Sequence, residues 1–213
     1  MTNLEDALVA VDAGADAVGF VLYEKSPRCV SVETVREIVA KLPSKTEKVG
    51  VFVNEPPERV ATMADDAGLT AVQFHGDEYR NPEQYSVGGK VFFSLPVVDI
   101  LRDMRGQAGF FGIPQFPKLA GILLDSGTQE QRGGTGKNFA WGEAFGFVSA
   151  LKRMHPVVLA GGLTPSNVAW AAEFLKPWGV DVVSGVEAQP GKKDPDKVRA
   201  FVRAVREMDR KVG

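Results

Sequence analysis

Residues 157–187 read VVLAGGLTPSNVAWAAEFLKPWGVDVVSGVE, and this stretch decides the fold. It opens with an apolar run at 157–161 and closes with another at 180–186. Both runs are nearly continuously hydrophobic, as strands of a parallel sheet covered by helices are. Between them Thr164-Pro165 opens SNVAWAAEFL, with a capping hydroxyl and a proline ahead of an apolar repeat of helical period. Each run carries glycine at or near its end: Gly161-Gly162 before the helix, and Ser184-Gly185 within the last residues of the second run. The unit is β-α-β.

The same unit recurs outward in both directions. Further strand candidates are 17–23 (AVGFVLY), 48–53 (KVGVFV), 71–75 (AVQFH), 90–95 (KVFFSL) and 120–125 (AGILLD). Ser31 precedes VETVREIVAKL, Pro56-Pro57 opens ERVATMADDAG, and Asp194-Pro195 opens DKVRAFVRAVREM. The stretch 97–119 is the least regular, with a helical DILRDMRGQ and then a Gly/Pro/Phe-rich loop. No linker or low-complexity tract divides the chain, so 1–213 reads as one β/α-barrel domain. Regular β-α alternation leaves a closed (β/α)8 TIM barrel or an open doubly wound sheet. The chemically interesting residues sit at the C-terminal ends of many strands, and a barrel gathers those ends at one mouth. The expected class is therefore an α/β barrel.

The count is short by one strand. Residues 4–15, LEDALVAVDAGA, read as a helix with Leu4, Leu8 and Val11 on one face and Thr2 or Asn3 as its cap. The chain thus starts at a βα junction with the first strand missing, and a barrel without a strand exposes two sheet edges. The expectation is a polypeptide that begins upstream, or a truncated form.

Bulk composition narrows the function. The net charge of -2 gives no reason to expect a nucleic acid or an anionic membrane as partner. No apolar run approaches the ~20 residues that cross a bilayer, and acidic residues stand where a signal peptide carries basic ones. The single cysteine, Cys29, excludes an internal disulfide, and the location reads as cytoplasmic.

The glycine segments carry the first chemistry. Gly161, Gly162, Leu163 and Ser184, Gly185 lie at adjacent strand ends, where backbone N–H groups and a helix N-terminus hold phosphate in such barrels. Glycines there also simply make tight turns. Gly133, Gly134, Thr135, Gly136 and Lys137 do not form a P-loop, because Gln131 and Asn138 stand where glycine and Ser/Thr are needed. A flexible lid or a plain solvent loop are the two readings of that segment. Asp125 ends a strand and points to the mouth, where an acid–base group belongs; Asp-Ser-Gly also fits an Asx-turn. Gln73 and His75 share a face opposite Val72 and Phe74, which suggests substrate contact or a polar layer. Arg28 could clamp a carboxylate through two hydrogen bonds or lie solvated at the surface. Cys29 beside it reads as a small buried hydrophobe.

Taken together, TNLEDAL, GADAVGFV, KSPR, KVGVFVN, AVQFHGDE, LLDS, GGTGK, LAGGLTPSNV and VDVVSGVEAQPGKKDPDKVRAF resemble the phosphoribosylanthranilate isomerases over essentially the whole chain. The resemblance implies an enzyme of tryptophan biosynthesis with a (β/α)8 barrel, no metal or organic cofactor, a phosphosugar substrate and a monomeric or homodimeric state. It implies an Amadori rearrangement of N-(5-phosphoribosyl)anthranilate from aminoaldose to aminoketose. By resemblance Asp125 is the general acid, Arg28 binds the anthranilate carboxylate, the loops at 161–163 and 184–186 hold phosphate, and 133–137 is the lid. The family's general base is a cysteine in a Lys-Ile-Cys-Gly segment on the first strand, just before the TNLEDA-like stretch, and nothing precedes Met1 to match it. Cys29 is not its equivalent. Phe74, Ala140 and an insertion around 106–117 are smaller departures. The alternative function is a catalytically impaired phosphosugar-binding barrel.

Overall fold

In the computed structural model the described residues are 1–75, 88–97, 119–125 and 141–212. The elements in order are α1 (Leu4–Ala13), β1 (Ala17–Val21), α2 (Val32–Val39), β2 (Glu47–Val53), α3 (Pro57–Ala67), β3 (Ala71–His75), β4 (Lys90–Pro96) and β5 (Leu119–Asp125). There follow α4 (Trp141–Leu151), β6 (Val157–Ala160), α5 (Val168–Leu175), β7 (Gly179–Val180), a 3-10 turn (Ser184–Val186), the short strands β8 (Glu187–Gln189) and β9 (Lys192–Lys193), and α6 (Pro195–Val212).

β1 to β7 form one parallel sheet in sequence order. It is an α/β fold with a curled sheet, as the pattern of apolar runs requires. Among the described residues no strand joins β1 to β7. The β1 carbonyls that point away from β2 meet other groups: Val21 accepts from Val30 N, and Gly19 from the Met1 ammonium.

Strand alternation separates two faces. Phe20, Phe52, Val72, Phe74, Ile122, Leu124 and Leu159 belong to the large core under the helices. Leu123, Val158 and Ala160 form a second cluster with Phe92 on the concave face. Residues two apart share a face, so Asp125 lies on the concave side with Leu123, and Gln73 and His75 with Phe92 and Ser94, their register partners.

The helix starts follow local chemistry. Asn3 caps α1, its Oδ1 accepting from Asp6 N at 2.8 Å, and Ser31 caps α2. Asp194 Oδ1 accepts from the N–H groups of Asp196 and Lys197 at the start of α6. Four expectations need correction. On α1 the buried side chains are Asp6, Ala7 and Ala10, while Leu8 is exposed, because α1 lies close against α6 and small residues fit that contact. α5 starts at Val168, not just after Pro165, because Thr164, Ser166 and Asn167 hydrogen-bond one another in the preceding loop. The run 180–186 is not one strand: β7 stops at Val180 and 184–186 turns in 3-10 form, since Gly185 packs against the 161–163 loop. Cys29 is exposed, and Val30 takes the buried place next to it.

Candidate active site

The two glycine loops meet. Gly161 and Gly162 both have left-handed backbone, with φ of 79° and 64°, which favours glycine. Asn167 closes the loop from inside: its Oδ1 accepts from Thr164 N at 2.8 Å and its Nδ2 donates to Gly162 O at 3.0 Å. Leu163 is buried beneath it. A Cβ added to Gly185 would stand 1.8 Å from Leu163 O, so a side chain there would force the loops apart. Ser184 at the start of that turn is exposed to solvent. Gly161, Gly162, Leu163, Ser184 and Gly185 therefore line one rim.

The 3-10 turn leads directly into Glu187, whose carboxylate is buried and holds Arg28. Arg28 Nε donates to Glu187 Oε1 at 2.8 Å and Nη2 donates to Oε2 at 2.7 Å. Gly191 N–H donates to the same Oε1 at 3.2 Å, and Lys193 Nζ lies 3.5 Å from it. Burial alone would raise the Glu187 carboxyl, but the Arg28 hydrogen bonds, Lys193 and the Gly191 amide outweigh it and hold the group below its ordinary range. Burial lowers the proton affinity of the Lys193 ammonium, opposed by Glu187 and Asp181. The Arg28 fork facing Glu187 is occupied. Its end-on edge, Nη1 with the second Nη2 hydrogen, is the part left to take a ligand carboxylate. Among the described residues Nη1 has no partner.

Asp125 pairs in register with Ala160, the residue before Gly161, so the carboxylate stands beside the glycine rim. His75 pairs with Ser94, and Ser94 with Leu123 on the same face. Ser94 Oγ is buried and has no hydrogen-bond partner among the described residues. Asp181 follows β7 directly, with its N–H donating to Leu159 O at 2.7 Å. Burial and the nearby Asp125 raise its carboxyl above the ordinary carboxylate value.

The structure thus brings Asp125, Arg28, Gly161, Gly162, Leu163, Ser184 and Gly185 to one end of the sheet, with Gln73 and His75 on the concave wall. Gly133, Gly134, Thr135, Gly136 and Lys137 lie outside the described residues. Sequence reading passed over Glu187, Lys193, Asp181 and Ser94. Glu187 had a signal, a carboxylate directly after Ser-Gly-Val, but its arginine partner lies 159 positions away. Among the described residues no group of His, Cys, Asp and Glu is disposed to hold a metal ion, and no helix is long and apolar enough to cross a membrane.

The family model described as N-(5'phosphoribosyl)anthranilate (PRA) isomerase matches residues 1–204. The N-(5'-phosphoribosyl)anthranilate isomerase of Trichlorobacter lovleyi is 44% identical over 211 residues, covering 97% of this chain and 95% of its own. The solved phosphoribosyl anthranilate isomerase of Thermotoga maritima superposes with a TM-score of 0.81 at 40% identity, over 97% of this chain and 96% of that one. A second solved isomerase, in complex with reduced 1-(o-carboxyphenylamino)-1-deoxyribulose 5-phosphate, gives a TM-score of 0.77 at 38% identity, over 97% and 95%.

Proposed function

We infer from these matches, which show that the chain belongs to the N-(5'-phosphoribosyl)anthranilate isomerase family, that it is the isomerase of tryptophan biosynthesis acting on N-(5-phosphoribosyl)anthranilate. The product is 1-(2-carboxyphenylamino)-1-deoxyribulose 5-phosphate, and a relative is solved with the reduced form of that compound. The observation that carries the site reading is the continuous rim from Asp125 through Ala160 and the glycine loops to Glu187 and Arg28.

The substrate has three handles, and the rim has a group for each. The 5′-phosphate sits on the backbone N–H groups of Gly161, Gly162, Leu163, Ser184 and Gly185, which glycine lets approach closely. The anthranilate carboxylate takes the end-on edge of Arg28, charge against charge. Asp125 gives a proton to the ribose ring oxygen. As it does so the C1′–O4′ bond breaks, its electron pair stays on oxygen, and the nitrogen lone pair forms the C1′=N bond. Loss of the C2′ proton then gives the enolamine, which tautomerises to the ketose. The lid role of 133–137, which lie outside the described residues, is carried over from the family resemblance, and Gln73 and His75 contact the substrate from the wall. The work is done in one β/α-barrel domain spanning 1–213. A cytoplasmic setting fits a chain whose single cysteine excludes an internal disulfide, and the active form is a monomer or a homodimer.

The test is turnover of freshly generated phosphoribosylanthranilate, followed by loss of its fluorescence. The expected result is turnover by the chain and loss of roughly 10²–10⁴-fold in Asp125→Asn, the range of general acid–base catalysis. A well-folded chain that binds the product analogue without turnover would instead support the impaired phosphosugar-binding barrel.

A further inference from the structure

The helices outside the sheet are uneven in charge. α1, α2, α3 and α6 carry three or more charged residues each, as helices with one face in water do. α4 (WGEAFGFVSAL) and α5 (VAWAAEFL) carry one each. These two pack side by side, and their outward side is apolar as well. A helix that is apolar all round is ordinarily a covered one. Of the seven large hydrophobic side chains exposed among the described residues, five lie on α4, α5 and the turns that follow them: Phe145, Met154, Trp170, Phe174 and Trp178.

The rings among them form one surface. Trp170 and Phe174, one turn apart on α5, are stacked with centroids 5.3 Å apart. Phe145 of α4 meets Phe174 at a centroid distance of 5.3 Å, tilted by 48°, so the aromatic surface bridges both helices. Beside Phe145, a Cβ added to Gly146 would meet nothing within 4 Å. That leaves bare backbone, which another helix can approach closely. At the end away from the mouth, Met154 and Trp178 flank a cleft of about 420 Å³ between the turns that follow α4 and α5.

We propose that a second copy of this chain docks on the α4–α5 face, about a two-fold axis near Phe174. The area fits. Phe145, Trp170, Phe174 and Trp178 are 45%, 55%, 39% and 66% exposed, which leaves roughly 300–500 Å² of ring surface in water. A stable homodimer buries about 800 Å² per chain, roughly two-thirds of it apolar, so the rings alone supply most of the apolar part. The charge fits a copy better than an unrelated partner. Glu173 and Lys176 are exposed on either side of Phe174 in sequence, and among the described residues neither is in an ion pair. A two-fold axis between them sets each Glu173 against the other chain's Lys176, the reciprocal pairing of an isologous contact. α4 and α5 lie on the convex side of the sheet, so both mouths stay open. The proposal selects one of the two assembly states given above and names its face; it does not depend on the substrate.

The experiment is sedimentation velocity of the full chain and its variants over a concentration series. The expected result is a dimer whose dissociation constant rises at least about thirtyfold in Phe174→Asp, as for a central aromatic anchor. Glu173→Lys and Lys176→Glu should each weaken self-association. An equimolar mixture of the two should recover a dimer, because each chain then offers the charge that the other lacks. Neither charge variant removes a ring, so the mixture tests the contact in a folded chain. A parent that stays monomeric to about 100 µM overturns the proposal and leaves the face to a partner of another kind. A dimer that Phe174→Asp and the charge variants leave unweakened also overturns it, since the chains then meet through another face.

Discussion

Glu187 shows how one residue can set the state of another. Its carboxylate is 5% exposed and takes both inner nitrogens of Arg28, whose side chain is 26% exposed. An arginine so held has few rotamers left, and its free edge points one way. Removing one partner of a buried ion pair costs about 3 kcal/mol when the other keeps some solvent. Glu187→Ala is therefore expected to lower stability by that amount in urea denaturation. It should also raise KM for phosphoribosylanthranilate more than it lowers kcat, if Arg28 has the carboxylate-binding role proposed for it. The pH dependence has a definite sign. The folded Glu187 carboxyl titrates below its ordinary 4.5, so its stabilisation is complete above that value and is lost as pH falls through the folded one. Glu187→Gln should flatten this acid decline. Asp181 has the opposite sign. Its folded value lies above 3.8, so the native state holds that proton more tightly, and the contribution to stability falls as pH rises through the folded value. Asp181→Asn should raise the melting temperature at about pH 8 relative to the parent, and by less at about pH 4.

At the scale of elements, the glycine loops are where local sequence and tertiary contact meet. Gly185 has an ordinary φ, so its glycine is required by space: a Cβ would reach 1.8 Å from Leu163 O, backbone against backbone. Gly185→Ala should cost roughly 1–3 kcal/mol, the usual penalty of overpacking. It should also weaken binding of inorganic phosphate by at least about tenfold in calorimetry, while Asp125 stays in place on β5. Unchanged phosphate affinity would remove 184–186 from the phosphate site. This contact also explains what could be read in advance. The strands β1 to β6 and the caps at Asn3 and Ser31 were legible, because burial on a sheet face and an open N–H at a helix start impose local residue choices. The end of β7 was not legible. VDVVSGV is apolar enough for a strand, yet β7 stops at Val180 because the chain must turn to lay Gly185 on the other loop. The buried face of α1 was legible in part: Leu4 and Val11 pack against the core as periodicity expects, whereas Leu8 is exposed and close approach to α6 favours Ala7 and Ala10. Asp125 and Arg28 were legible as candidates by residue type and position, but Glu187 and Asp181 gain meaning only from partners on distant strands.

Across the whole molecule, the start of the chain is tied to the site through its far end. Asp6 is 2% exposed, yet it lies on α1 and not at the rim. Its Oδ2 accepts from Lys193 N–H at 2.7 Å, and its Oδ1 lies 3.3 Å from Lys192 Nζ. Thr2 Oγ1 donates to Gly191 O at 2.5 Å. These bonds fix the hairpin of β8 and β9 on α1, and Glu187 is the first residue of that hairpin. Gly191 N–H and the Lys193 ammonium, which both address Glu187, belong to the same hairpin. The order of support therefore runs from Asp6 to the hairpin, from the hairpin to Glu187, and from Glu187 to Arg28. Asp6→Ala leaves the Lys193 amide without its acceptor in a buried place, at about 1–3 kcal/mol. If the hairpin acts as one body, part of that loss is the loss already incurred in Glu187→Ala. The double variant should then be less destabilised than the two single variants together, by about 0.5–3 kcal/mol, in a double-mutant cycle by urea denaturation. KM should follow the same non-additivity, because both variants release the same arginine. Strict additivity in stability and in KM would mean that α1 holds the fold but does not reach the site.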